Sequence, residues 1–136
     1  MKDLNRQAIV VQPGRPMVEW LQQIDRDLGV EPISAADVTE SRNVYLIPDF
    51  DYEKEAEEYF RQKCERIFSE ELAQWITEPK LWSKQRDWKT FNAWCDWELI
   101  DMVFDLVDGP IVGEYLGEIV IESTDGEDEG DEISVA

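Results

Sequence analysis

The chain has 136 residues, 43% of them hydrophobic and six of them Trp, which is enough material for one self-supporting core. Lys and Arg number 13 against 32 Asp and Glu, for a net charge of −19, and residues 1–113 alone keep −10. Such a charge repels nucleic acid and anionic membrane and favours basic proteins or cations as partners. His is absent, so there is no imidazole base, no Ser-His or Cys-His pair and no usual zinc site.

In chain order, Ala8-Ile-Val-Val11 is a short β-branched run stopped by Pro13-Gly14, and it predicts a buried strand. Met17, Trp20, Leu21, Ile24 and Leu28 repeat at helical spacing, with Pro16 at the first turn and Gly29 just past the end. Ser34 is placed to cap one short turn, and residues 43–48 form a second strand that Pro48 ends. A long helix is expected from Tyr52 to about Ile76. Asp51 is its N-cap, acids fill its first turns, and Glu57 precedes Arg61 at the favoured i,i+4 spacing. Its apolar set is Ala56, Tyr59, Phe60, Cys64, Ile67, Phe68, Leu72, Trp75 and Ile76.

Residues 80–89 interleave Trp82 and Trp88 with four bases, Arg86 among them. That composition suits either single-stranded nucleic acid or, more simply, rings anchored in the core. Residues 90–106 predict a last helix, with Phe91, Cys95, Leu99, Met102, Val103 and Leu106 on one face. Residues 111–122 lean to a strand on Ile119-Val-Ile121, although Ile111, Val112, Tyr115, Leu116, Ile119 and Val120 also fit helical spacing, and residues 123–136 have the composition of a mobile acidic tail. The expected architecture is therefore α+β. A small two- or three-stranded sheet carries three main helices in one domain spanning residues 1–122.

The sharpest candidate site follows from that last helix. Glu98, Asp101, Asp105 and Asp108 stand at 0, +3, +7 and +10, which on a helix confines them to a wedge of about 80°. Solvation, a nearby base, a basic partner or a hard cation each compensates such a stripe, and one helix face offers an ion too few converging oxygens. Trp82 and Arg86 join these four as binding candidates. Asp49-Phe-Asp51 follows a strand, as the aspartates of phosphoryl-transfer enzymes do, but the matching Thr and the downstream Lys motif are missing. Asp125-Gly-Glu-Asp-Glu-Gly130 begins like a calcium loop but has Ala136 where the bidentate Glu belongs. There is no Gly-rich dinucleotide motif and no phosphate-binding loop, so neither a cofactor nor a resident metal is expected.

Cys64 and Cys95 are lone thiols on apolar stripes, suited to a reducing compartment. The first residues lack the apolar core of a signal peptide, and no run approaches a membrane span, so a cytoplasmic location is expected.

The runs Ala-Ile-Val-Val, Val-Tyr-Leu-Ile-Pro-Asp-Phe-Asp, Ile-Phe-Ser-Glu-Glu-Leu and Met-Val-Phe-Asp-Leu, in this order, resemble a group of small acidic bacterial proteins of unknown function. The resemblance spans roughly residues 8–108. It implies a bacterial cytoplasmic origin and carries over no functional residue. The functional expectation is a small binding or regulatory protein that docks a basic partner on its carboxylates. The alternative is a carboxylate-based, divalent-metal-dependent enzyme or metal-binding protein centred on the stripe or on Asp49 and Asp51.

Overall fold

The computed structural model describes residues 1–116, 119–120 and 132–133. Its elements in order are β1 (Lys2–Asp3), β2 (Arg6–Pro13), α1 (Arg15–Asp27), α2 (Ala35–Thr39), β3 (Asn43–Pro48) and α3 (Glu53–Ala73). A 3-10 turn at Pro79–Leu81 leads to α4 (Trp88–Trp94), β4 (Cys95–Ile100), β5 (Phe104–Asp105), β6 (Ile119–Val120) and β7 (Glu132–Ile133).

The fold is α+β, as the sequence predicts. Its main sheet has three antiparallel strands in the order β3-β2-β4, with β2 in the centre. Ile9 faces Tyr45 on one side and Leu99 on the other. Because β3 and β4 both run against β2, they are parallel to each other, and α3 crosses between them in a split βαβ arrangement. The strand–helix–strand order of residues 8–48 therefore encodes an antiparallel pair.

Alternation along β2 sends Gln7, Ile9, Val11 and Pro13 to one face, where they are buried. Met17, Val18 and Leu21 of α1, the apolar stripe of α3 and Phe91 of α4 complete that core. At its centre Phe60 meets the rings of Trp88, Phe91 and Trp97 edge-on, at centroid distances of 5.3, 5.5 and 4.9 Å. The opposite sheet face presents Val44 and Leu46 to solvent beside buried Ala8.

Local chemistry sets the element ends. Gly29, at φ 75°, terminates α1; its N–H reaches the Arg26 carbonyl, and the Val30 N–H reaches Asp25 five residues back. Ser34 Oγ accepts from the Asp37 amide and caps α2, as its position predicts. Gly14 donates to the Trp94 carbonyl at 2.8 Å, and a Cβ there would lie 3.0 Å from that same oxygen. A side chain at position 14 would push the end of β2 away from the end of α4.

Three expectations are corrected. Tyr52, not Asp51, occupies the N-cap of α3, and no side chain caps that end. The last helix does not span residues 90–106. It runs from Trp88 to Trp94, capped by Asp87 Oδ1 accepting from the Thr90 amide at 2.9 Å, and gives way to a strand at Cys95. Residues 111–116 form neither strand nor helix, and only Ile119–Val120 of the expected strand is described as paired, with Glu132–Ile133. The expected mobile tail falls, apart from that pair, outside the described residues. The Glu57–Arg61 pair is present at 3.6 Å.

Candidate functional site

The change from helix to strand at Cys95 dismantles the four-carboxylate stripe. In β4, Cys95, Trp97 and Leu99 turn toward the core while Asp96 and Glu98 turn out. Glu98 is opposite Val10 on the open sheet face. Asp101 lies just beyond the strand, Asp105 is in β5 beside Lys2 (3.7 Å), and Asp108 is in the following loop. Without a common helix the four share no wedge.

The remaining two candidates are engaged within the fold, Trp82 buried and Arg86 half-buried beside it. Trp82 is only 5% exposed, and its indole N–H donates to the Ile76 carbonyl at 2.7 Å. Arg86 lies 6.0 Å from the Trp82 ring centre and donates to the Ser83 carbonyl at 2.5 Å. Trp88 is likewise occupied, with Phe60, Phe91 and Trp97 around it and the Arg61 guanidinium 4.8 Å from its ring centre. Both rings are packed against the core, Trp82 within it and Trp88 at its edge.

Asp101 gains different neighbours. The register that pairs Gln7 with Ile47 and Ala8 with Ile100 brings the exits of β3 and β4 to the same end of the sheet. There a groove of about 520 Å³ is lined by Gln7, Asp49, Phe50, Asp51, Glu53, Leu99, Asp101 and Met102. All four acids are exposed, and none belongs to an ion pair among the described residues. The sequence pattern singles out Asp101 in one stripe and Asp49-Phe-Asp51 as one motif, but it joins neither to the other nor to Glu53, Gln7 and the apolar wall. Only the pairing of β2 with both neighbours brings them together.

Gln7 is the unusual member. It is 7% exposed, its side-chain N–H donates to the Phe50 carbonyl at 3.2 Å, and its Oε1 is buried with no donor. A second hollow, of about 390 Å³ beside Gly14, contains Arg15 as well as Glu19 and Asp96. Arg15 and Glu19 pair there at 3.3 Å, so charge is offset within it. The groove at the sheet end has no such compensation among the described residues.

Among the described residues, one acid is buried rather than displayed. Glu71 on α3 is 1% exposed, and its Oε2 accepts from Tyr45 Oη at 2.5 Å and Asn43 Nδ2 at 2.8 Å, while Oε1 has no partner. Burial raises the Glu71 carboxyl above the usual carboxylate range, and the two hydrogen bonds only partly oppose it. Burial first, and Glu71 second, push both the Tyr45 hydroxyl and the Cys95 thiol up. Cys64 is also raised by burial, and both cysteines are free and buried, in keeping with inert structural thiols.

Among the described residues, no three Asp, Glu or Cys side chains are placed to share a metal ion. No helix among them is long and apolar enough to cross a membrane. No family model, curated protein or solved structure matches the chain.

Proposed function

We propose that this is a small acidic binding or regulatory protein that engages a basic partner, with the groove at the sheet end as its contact. One observation carries the reading. Two chain segments, residues 49–53 and 99–102, bring Asp49, Asp51, Glu53 and Asp101 around one hollow, with no ion pair among the described residues to offset them. Uncompensated like charges oppose one another in the free protein, and a basic surface relieves them on binding and is steered toward them from a distance. The resemblance to small acidic bacterial proteins and the two free buried thiols support a bacterial cytoplasm as the setting.

The test is affinity capture from native cytosol at low and high salt, followed by direct binding of each purified basic protein recovered. Replacing the groove acids together (Asp49→Asn, Asp51→Asn, Glu53→Gln, Asp101→Asn) is expected to weaken partner binding about tenfold or more at low salt. Removing the same charge from Glu31, Glu40, Glu58 and Glu65, all exposed elsewhere, is expected to change it far less. Equal losses in the two variants would reduce the effect to net charge and reject the groove as the contact. Thermal unfolding with and without Mg²⁺ or Ca²⁺ tests the metal-dependent alternative, for which a ligand of the native state raises the melting temperature.

A further inference from the structure

We propose that the groove is a seat for a guanidinium group, the arginine side chain of the basic partner. This rests on the reading of the groove as the partner contact and adds the chemistry of what enters it.

The side-chain polar atoms around the hollow with no partner are all acceptors. Asp49, Asp51, Glu53 and Asp101 supply carboxylate oxygens, and Gln7 supplies an Oε1 that no donor reaches, its own N–H being committed to the Phe50 carbonyl. A buried acceptor left bare is unusual in a folded protein and marks a place where a donor is missing. Gln7 is a separate observation from the acids, because it lies in the central strand, is nine-tenths buried and lines the same groove.

The complement of such a set is a group that only donates. A bare divalent ion needs carboxylates converging on one point, and these do not. A guanidinium carries five N–H donors spread over a plane and reaches several separated acceptors at once, whereas an ammonium is a compact point charge. Phe50, Leu99 and Met102 add apolar wall, which suits the methylene stem of an arginine. Met102 is unbranched and half exposed, so it is the wall residue best able to adjust to an entering side chain.

The test is a titration of the ¹⁵N-labelled full chain with Nα-acetyl-arginine amide, read by amide chemical shifts. Expected are saturable shifts at the Gln7 side-chain amide and at the Phe50, Leu99 and Met102 backbone signals. Affinity should fall about fivefold or more in Asp49→Asn/Asp101→Asn and stay level in Glu58→Gln/Glu65→Gln. Gln7→Met, checked for an unchanged fold by its spectrum, should weaken the arginine probe while leaving Nα-acetyl-lysine amide unaffected. Shifts scattered over the acidic surface, equal affinity for the lysine probe, or tighter saturation of the same signals by Ca²⁺ would each overturn the assignment. Capture that depends on the groove acids without an arginine footprint overturns this inference alone. Capture indifferent to those acids overturns the proposed function, whatever the arginine probe does.

Discussion

Phe60→Ala is expected to destabilise the fold by about 3–5 kcal/mol, the usual cost of emptying a fully buried aromatic site. Phe60 has no solvent exposure and meets three other rings edge-on. Its loss removes the transfer energy of the ring, leaves a cavity and ends contacts worth about 0.5–1.5 kcal/mol per pair beyond their area. Against a domain stability of about 5–15 kcal/mol, that is enough to move the urea midpoint far down. Trp88 and Trp97 border the site, so their fluorescence reports the same transition. A shift of less than about 1 kcal/mol would show that the Phe60 site is not the packed centre described.

The second large effect concerns Glu71 and pH. Its carboxyl is raised in the folded chain, so the folded state holds that proton to a higher pH than the unfolded state does. Its contribution to stability is therefore fully present below the unfolded carboxyl value, about 4.3, and is lost as pH rises through the raised folded value. The other acids dominate the raw pH profile, so the informative quantity is the difference between wild type and Glu71→Gln. Glutamine is neutral throughout and keeps an acceptor for Tyr45 and Asn43. Glu71→Gln is expected to gain on wild type steadily from acidic to neutral pH in chemical denaturation. Glu71→Ala instead leaves the Tyr45 hydroxyl without this acceptor, at about 1–3 kcal/mol, while the Asn43 amide keeps Gln74 Oε1 at 2.9 Å. A pH-independent difference between wild type and Glu71→Gln would mean that the carboxylate is charged at no cost where it lies.

Much of the architecture is legible in the residues. The β-branched runs of β2 and β3, the Pro16 and Gly29 ends of α1, the Ser34 cap and the stripe of α3 all report local preferences that the tertiary structure keeps. Residues 95–106 are where local pattern and structure part, and the reason is one of period. Strand alternation and helical repetition both place apolar residues at i and i+4, so Cys95 and Leu99 satisfy either pattern. What separates the two is Trp97 between them, inward like its neighbours, with Asp96 and Glu98 turned out. The cluster of Asp residues, poor helix formers, points the same way.

Asp87, a good N-cap inside the segment read as a connection, marks the true start of the short helix. The groove is legible only in fragments. Asp101 and the Asp49-Phe-Asp51 motif are each conspicuous, but their proximity to one another depends on the pairing of β2 with both neighbours, which no local signal encodes. Glu71 shows the converse: an acid on a predicted helix gives no sign in sequence that it is buried.

The proposed contact depends on residues 95–100 lying as a strand beside β2, because that is what carries Asp101 to Asp49 and Asp51. Backbone nuclear Overhauser contacts of the labelled protein decide it. Expected are cross-strand contacts linking Ile9, Val10 and Val11 to Leu99, Glu98 and Trp97, with helical i,i+3 contacts ending near Trp94. An unbroken series of i,i+3 contacts from Thr90 through Leu106 would contradict this arrangement and return the four acids to one helix face.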